Sequence, residues 1–193
     1  MPHEPFTTLV SRTVVLPEAN IDTDHNIPAR FLTTTSREGL GRAAFHDWRV
    51  DDAGAPRPDD PFRDRDPAAV RILVAGPNFG CGSSREHASW ALYDFGFRAV
   101  VSVKIADIFK SNALKNGLLA VEVDEAACER LVAASGAELT IDLERETLTG
   151  PDGLVADFKV EPFARRCLLD GVDSLGFLLG AEDDIAAFEA TRR

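Results

Sequence analysis

The sequence predicts an α/β protein, and two features of its hydrophobic pattern support this prediction. Between residues 70 and 133, short apolar runs alternate with segments of helical period, which is typical of strand–helix units in a parallel sheet. From residue 139 onward, apolar and polar residues alternate one by one, which indicates antiparallel strands. We therefore expect a single domain over residues 1–193, with a mixed sheet, helices and a C-terminal β-hairpin.

The N-terminal part predicts one strand and two long loops. Residues 6–16 are rich in β-branched side chains and end before Pro17, so they are expected to form the first strand. Residues 20–39 are polar and interrupted by proline, which indicates a loop. Residues 51–67 contain four prolines and six aspartates, a composition typical of a solvated loop. We expect this Asp/Pro-rich loop to be flexible and to act as a flap or as an interface.

Three short apolar runs predict buried strands, at residues 70–75, 98–103 and 118–123. Apolar residues at helical spacing follow each run. The first two helices are expected to end at Gly96 and at Asn116–Gly117, because glycine tolerates the left-handed backbone that closes a helix. Asp124 is suited to cap the third helix.

The C-terminal part predicts a hairpin followed by a helix. Residues 139–143 and 154–160 alternate in polarity, and Gly-Pro-Asp-Gly lies between them. Residues 181–190 predict a short capped helix with Ile185 and Phe188 directed inward.

Composition excludes several classes of partner. The chain has 21 Lys and Arg against 32 Asp and Glu, a net charge of −11, which argues against binding to nucleic acid or to an anionic membrane. No apolar run approaches the roughly 20 residues of a membrane span. The first ten residues lack the pattern of a signal peptide, so we expect a cytoplasmic protein. A small anion stays compatible with this charge, because local positive potential can coexist with an acidic whole.

The three cysteines, Cys81, Cys128 and Cys167, are odd in number and widely spaced, which fits a reducing compartment. No CxxC pair occurs, and three scattered thiols are a poor set of ligands for an iron–sulfur cluster or for zinc. We expect no metal site in this chain.

Residues 76–87, GPNFGCGSSREH, carry the strongest functional signal. They lie between a predicted strand and a predicted helix, where open α/β sheets bind ligands. Ser83 and Ser84 are suited to cap the helix, whose free N–H groups favour an anion. Arg85 adds a bidentate donor for a carboxylate or phosphate. The segment therefore predicts an anion site at a helix N-terminus.

Two other interpretations of this segment stay open. Ser83 and Glu86 have the spacing of a capping box, which occurs in many helices without function. Cys81 is a candidate nucleophile, although His87 is expected to be a supporting group rather than its base. A P-loop is excluded, because no Gly-Lys-Ser or Gly-Lys-Thr is present.

Residues 20–25 form a second polar cluster. Asp22 and Asp24 stand two residues apart, with His25 next to them. This set suits a metal ion, but it equally suits an Asx turn that bonds to its own backbone. Spacing alone does not decide between these interpretations.

Four motifs occur in a fixed order along the chain: NIDTDHNIPARFL at 20–32, GPNFGCGSSREHASWALYDFGFRAV at 76–100, ADIFKSNALKNGLL at 106–119 and a C-terminal motif of DGVDSLGFLL at 170–179 followed by DDIAAFEA at 183–190. This ordered set closely resembles the small subunits of bacterial 3-isopropylmalate dehydratase. The resemblance implies the swivelling β/β/α domain of the aconitase superfamily. It also implies a large-subunit partner that holds a [4Fe–4S] cluster, with no cofactor bound by this chain. The implied reaction interconverts 2-isopropylmalate and 3-isopropylmalate, a small dicarboxylate substrate, through isopropylmaleate in leucine biosynthesis.

The resemblance also implies roles for individual residues. Ser83 is expected to be the catalytic base, and a substrate carboxylate is expected to bind Ser84 and Arg85. Arg37 lies where the substrate-recognition loop of the family begins. Support of the site is expected from Asp24, His25 and His87.

The chain departs from the family pattern at positions that bear on the substrate. His25-Asn26 and residues 33–36 are more polar than the resemblance leads us to expect. A related hydro-lyase for another 2-alkylmalate or a citrate-like acid is therefore an alternative. A non-catalytic anion- or partner-binding module and a stand-alone cysteine enzyme are alternatives from other classes.

Overall fold

The computed structural model describes residues 3–192, and a seven-stranded mixed sheet forms its centre. The strands are β1 (Thr8–Leu16), β2 (Val70–Ala75), β3 (Ala99–Ser102), β4 (Leu119–Glu122), β5 (Glu138–Asp142), β6 (Thr147–Thr149) and β7 (Val155–Asp157). The helices are α1 (Thr23–Asn26), α2 (His46–Arg49), α3 (Glu86–Asp94), α4 (Asp107–Lys115), α5 (Glu125–Ala133), α6 (Pro162–Asp170), α7 (Ser174–Gly180) and α8 (Glu182–Ala190). The ends of the domain predicted over 1–193, residues 1, 2 and 193, lie outside the described residues.

The strand order in the sheet is β4-β3-β2-β1-β5-β6-β7. Strands β1 to β4 are parallel, and β5 to β7 are antiparallel. β1 is the boundary, because it pairs in parallel with β2 on one side and antiparallel with β5 on the other. The predicted α/β class with a mixed sheet is thereby confirmed.

The local signals for the central strand–helix units are confirmed. Gly96 and Gly117 follow α3 and α4 with φ of 101° and 81°, in the region that favours glycine. At the start of α5, the carboxylate of Asp124 accepts a hydrogen bond from the N–H of Ala127 at 2.7 Å. These signals depend on neighbouring residues only, so they can be recognised in the sequence.

The C-terminal antiparallel part has one strand more than the sequence pattern predicts. β6 pairs with both β5 and β7, so the hairpin is a three-stranded meander. Gly-Pro-Asp-Gly joins β6 to β7, and a separate turn with Glu146 at φ 54° joins β5 to β6. β6 has only three residues, which is too short for its alternation to stand out.

The prediction for the C-terminal helix is only partly right. α8 forms, but no side chain caps it, and Ile185 and Phe188 are 43% and 57% exposed rather than directed inward. Among the described residues no element covers this face. Helices α6 and α7 were not predicted from periodicity, although caps from Glu161 and Asp173 mark where they begin.

The Asp/Pro-rich loop has turns but no regular helix or strand. Its second half is anchored, because Phe62 is buried and stacks on Phe45 with ring centroids 4.8 Å apart. Arg65 donates to the carbonyl oxygen of Phe95 at 2.8 Å and lies over the ring of Phe97. Burial lowers the pKa of Arg65 to about 10. The flexibility of residues 51–67 stays a prediction.

Candidate active site

The two loops that carry the predicted site residues leave the sheet side by side, where β1 and β2 end in register. We call residues 17–25 the first site loop and residues 76–85 the second site loop. Gly76 donates its N–H to the carbonyl oxygen of Leu16 at 2.8 Å. A Cβ on Gly76 would lie 2.3 Å from the carbonyl oxygen of Glu18, so the two backbones are in direct contact and only glycine fits.

Backbone hydrogen bonds continue this contact along both site loops. At its start, Asn78 donates from Nδ2 to Oδ1 of Asn20 at 2.8 Å, and both residues have left-handed backbone, with φ of 63° and 60°. The ladder that follows has three bonds: Asn20 N–H to the Pro77 oxygen (2.9 Å), Gly80 N–H to the Ile21 oxygen (2.7 Å) and Thr23 N–H to the Cys81 oxygen (2.9 Å). The two site loops are therefore held together as one unit.

Short helix α1 explains the local conformation of the first site loop. The carboxylate of Asp22 accepts from the N–H of His25 at 2.9 Å, and Nδ1 of His25 accepts from the N–H of Asp22 at 3.2 Å. This is a capping box, in which a side chain at each end satisfies a backbone donor at the other. The sequence left two interpretations of residues 20–25, a metal site and a turn that bonds to its own backbone. Asp22 and His25 bond to the backbone, as in the second interpretation.

Asp24 and Arg85 form an ion pair between the two site loops, through Oδ1 and Nη1. The Arg85 side chain is 16% exposed, whereas the Asp24 side chain is 53% exposed. The guanidinium is thus held by a carboxylate through Nη1, and among the described residues its other donors have no hydrogen-bond partner, an arrangement that suits a second anion. Both residues were predicted to belong to the site, and the structure brings them into contact.

Ser83 and Ser84 are exposed at the end of the second site loop. The predicted capping roles are wrong, because α3 begins at Glu86 with Arg85 in the capping position and no side-chain cap. The capping box of Ser83 and Glu86 is likewise absent: the Glu86 carboxylate accepts from Asn116 Nδ2 at 3.0 Å instead. Among the described residues the hydroxyls of both serines have no hydrogen-bond partner, and the N-terminus of α3 follows them closely in the sequence.

His87 and Arg37 meet at Trp90 rather than at the site loops. His87 donates from Nε2 to the carbonyl oxygen of Thr34 at 2.8 Å, and its ring lies 4.6 Å from that of Trp90. The guanidinium of Arg37 lies 5.0 Å from the centre of the same indole ring. The predicted recognition loop is therefore fixed against the N-terminal part of α3, the helix that directly follows the second site loop.

His25 has a second neighbour on α2. Its ring lies 5.4 Å from the ring of Trp48, which in turn stacks on the buried Phe45 at 5.6 Å. The side chain of His25 is 45% exposed. It therefore supports the first site loop between the α1 capping box and α2.

The cysteines do not fit an iron–sulfur cluster. Cys81 lies in the second site loop, Cys128 on α5 and Cys167 on α6, and burial raises the pKa of all three thiols. The charge of Asp22 raises the pKa of Cys81 further. Cluster ligation needs several converging thiolates, which these positions do not provide. Among residues 3–192, no group of three or more His, Cys, Asp or Glu side chains is arranged to hold a metal ion.

Thr23 is a site-loop residue that the sequence did not single out. Its side chain is buried, with 2% of the residue exposed, and its hydroxyl donates to the carbonyl oxygen of Ser83 at 2.9 Å. The two residues are 60 positions apart, so no local pattern reveals the contact.

None of the helices formed by residues 3–192 combines the length and the apolar composition that a membrane span requires.

Two family models match this chain. The model described as the aconitase C-terminal domain matches residues 3–126, and the model described as LeuD_N matches residues 129–162. A solved structure titled 3-isopropylmalate dehydratase, from Methanocaldococcus jannaschii, superposes with a TM-score of 0.68 at 24% identity. The match covers 96% of this chain and 99% of that chain, and it supports the fold.

Curated relatives match at higher identity over nearly the full length. The protein named 3-isopropylmalate dehydratase small subunit from Anaeromyxobacter dehalogenans strain 2CP-1 is 58% identical, over 98% of this chain and all of the relative. The protein of the same name from Chloroflexus aurantiacus strain J-10-fl is 52% identical, over 97% and 96% of the two chains. Fold, family models and full-length identity agree, and the chain belongs to the family of 3-isopropylmalate dehydratase small subunits.

Proposed function

We propose that this chain forms a hydro-lyase with a large subunit and is active only in that complex. The pair interconverts 2-isopropylmalate and 3-isopropylmalate through isopropylmaleate, as a step of leucine biosynthesis in the cytoplasm. The observation that carries this proposal is that the exposed Ser83 and Ser84 stand next to the partly buried Arg85, in the loop that follows β2 where β1 and β2 end. The whole chain acts as one swivelling domain, with residues 51–67 as a flexible flap or interface.

The reaction needs a base and a leaving hydroxyl. Loss of a proton and a hydroxide from 2-isopropylmalate gives isopropylmaleate and water, and water then adds with the hydroxyl on the neighbouring carbon. In our proposal Ser83 removes the proton from the carbon next to a carboxylate. A serine hydroxyl is a weak base, so the alkoxide needs stabilisation. The N-terminus of α3, which begins at Glu86, and the charge of Arg85 are the local sources of it.

The substrate carboxylate binds to Arg85 and Ser84 in this proposal. Asp24 holds the guanidinium of Arg85 in place, so less conformational freedom is lost when the second anion binds. Arg37 approaches the substrate from the recognition loop, which His87 fixes through the carbonyl oxygen of Thr34. His25 supports the first site loop from α1.

The [4Fe–4S] cluster belongs to the large subunit in this proposal, because the cysteines of this chain do not converge. When bound there, the cluster supplies a Lewis acid for the substrate hydroxyl and carboxylate. This chain supplies the base, the carboxylate-binding groups and the recognition loop.

A second candidate is a hydro-lyase for another 2-alkylmalate or a citrate-like acid. The observation that favours it is the polarity of the recognition loop, where Thr33, Thr35 and Ser36 are exposed. Hydroxyl groups there suit a polar substituent on the malate better than an isopropyl group. Both candidates share Ser83 and Arg85, so only the substrate distinguishes them.

The experiment is anaerobic turnover by the cognate cluster-bearing large subunit, with and without this chain. We expect 2-isopropylmalate to be isomerised only when both subunits are present. A complex that assembles but leaves isopropylmalate untouched, while turning over another alkylmalate or a citrate-like acid, establishes the second candidate. A complex that assembles and transforms none of these acids supports a non-catalytic binding module and contradicts both.

A further inference from the structure

The carbonyl group of Ser83 is fixed by a side chain from the first site loop. Oγ1 of Thr23 donates to the Ser83 oxygen at 2.9 Å, and Thr23 is 2% exposed. The N–H of Thr23 donates to the carbonyl oxygen of Cys81 at 2.9 Å. One buried residue thus binds the second site loop at two points on either side of Gly82.

The second site loop depends on such anchors because it contains two glycines, whose backbone does not enforce a single conformation. Gly80 and Gly82 have φ of 72° and 89°, conformations that glycine reaches without strain but does not enforce. Over residues 82–84, the bond from Thr23 is the one hydrogen bond that the described residues give to the loop backbone. The Ser83 hydroxyl is exposed and has no hydrogen-bond partner among residues 3–192, so the backbone alone fixes the position of its Cβ and hence the region that the hydroxyl can reach.

We propose that Thr23 is a positioning residue for Ser83: its buried hydroxyl fixes the peptide that follows Ser83 and thereby aims the Ser83 hydroxyl at the substrate. This inference rests on the proposed role of Ser83 as base. It assigns to Thr23 no contact with the substrate.

The ion pair between Asp24 and Arg85 allows two functions of the second site loop, proton removal and carboxylate binding, to be tested separately. Asp24 holds the side chain of Arg85 directly, and it does so without the Thr23 hydroxyl. Loss of that hydroxyl therefore disturbs the base more than the carboxylate-binding group. Loss of the Thr23 hydroxyl is therefore expected to lower kcat and to change KM only slightly, because misplacement of a reacting group by about 1 Å costs about 100-fold in rate.

The variant Thr23→Val tests the inference in the complete two-subunit enzyme, because valine keeps the branched shape and removes the hydroxyl. We expect kcat to fall about 10- to 100-fold, with KM changed less than about threefold. Thr23→Ser restores the hydroxyl, and it is expected to recover most of the rate. In the Ser83→Ala background, Thr23→Val is expected to lower the residual rate by less than about twofold, since the two residues act as one unit.

The matched control is Thr13→Val. Thr13 is also buried, at 5% exposure, and its hydroxyl donates to a backbone carbonyl oxygen, that of Ala137, at 3.2 Å. This contact lies between β1 and the start of β5, away from the site loops, so kcat is expected to stay unchanged.

Three results would overturn the role of Thr23. They are an unchanged kcat in Thr23→Val, no recovery of kcat in Thr23→Ser, and a fall in the residual rate of Ser83→Ala that is as large as the fall that Thr23→Val causes in the wild-type enzyme. If the valine variant does not assemble with the large subunit, Thr23→Ala removes the same hydroxyl with less bulk, and the same criteria apply. Full activity of Ser83→Ala by itself refutes the proposed base, and it is thus distinguished from a failure at Thr23 alone.

Discussion

Asp24 and Arg85 stand 61 positions apart in the sequence and form an ion pair across the two site loops. The pair joins the segment after β1 to the segment after β2 at the point where Ser83 and Ser84 are exposed. Arg85 is therefore placed and oriented before any ligand binds.

Loss of the Arg85 guanidinium is expected to weaken substrate binding. A charge-assisted hydrogen bond contributes about 1.5–3 kcal/mol, so Arg85→Ala should raise KM roughly 10- to 100-fold. Asp24→Asn keeps the guanidinium but removes its orienting charge, and a smaller rise is expected. Steady-state kinetics of the complete enzyme measures both. An unchanged KM in Arg85→Ala contradicts the binding role of Arg85.

Replacement of Ser83 by alanine is expected to remove the base and leave the fold intact, because the hydroxyl is exposed and bonds to no described residue. General-base catalysis accounts for about 10²- to 10⁴-fold, so kcat should fall at least by that factor. Ser135, an exposed serine in the turn after α5, gives the matched control Ser135→Ala. Co-elution with the large subunit shows whether assembly is preserved. Wild-type turnover in Ser83→Ala means that another group is the base.

Cys81 is expected to be dispensable for turnover, although it lies in the second site loop. Burial and the charge of Asp22 raise the pKa of its thiol above the ordinary value, so at neutral pH it is the unreactive neutral form. Cys81→Ala should retain activity in the complex. In the wild-type chain, alkylation should accelerate only at a pH above that needed by a free thiol. Loss of turnover in Cys81→Ala, with assembly preserved, would favour the cysteine enzyme instead.

Gly80 and Gly82 are expected to tolerate alanine very differently. A Cβ at Gly80 would lie 2.4 Å from Cγ of the buried Phe109, and φ is 72°. We expect Gly80→Ala to lower the free energy of unfolding by about 2–5 kcal/mol, from backbone strain and overpacking together. A Cβ at Gly82 would meet its nearest neighbour, Asp22, at 3.4 Å, so only backbone strain of about 1–2 kcal/mol is expected. Urea unfolding of the two variants side by side measures the difference. Equal losses would show that Phe109 does not constrain the loop.

The pair of Arg30 and Asp47 is expected to make a pH-dependent contribution to stability. The hydrogen bond from Arg30 lowers the pKa of Asp47 below its ordinary value of 3.8. The folded state therefore favours the ionised carboxylate, and this stabilisation is fully present above the ordinary pKa and is lost as pH falls through the lowered one. The contribution is small, because both side chains are more than half exposed.

Urea unfolding of the wild type and of Asp47→Asn at several pH values measures the contribution of the Arg30–Asp47 pair to the free energy of unfolding. The difference in the free energy of unfolding should be present at pH 7 and should shrink at a pH below 3.8. A difference that is constant across this range would show that the pair has no electrostatic role.

How much of the fold could be predicted depends on how local each signal is. The apolar runs and glycine stops from β2 to α5 follow from neighbouring residues, and the strands and helices were placed within a few residues of their observed ends. β6 has three residues and makes no recognisable pattern of its own. The spacing of Ile185 and Phe188 predicts a helix correctly, but a helical period does not show whether another element covers its apolar face.

The candidate site shows the same division. The chemistry of both site loops and the resemblance predict which residues form the site. The family is shown, whereas the roles of these residues stay predictions. The capping role given to the serines was wrong, because α3 begins at Glu86 and not at the first suitable cap. The sequence does not single out Thr23, because its hydroxyl bonds to a carbonyl group 60 positions away and such a contact produces no pattern in local residue spacing.

The α/β class, the order of the central strands and helices and the two segments of the candidate site can all be predicted from the amino-acid sequence. They are predictable because periodicity, caps and turns depend on residues within a few positions of one another. Which of these segments come into contact depends on how the strands pair. The parallel pairing of β1 with β2 brings both site loops to one edge, and backbone contact at Gly76 then brings Thr23 to Ser83 and Asp24 to Arg85.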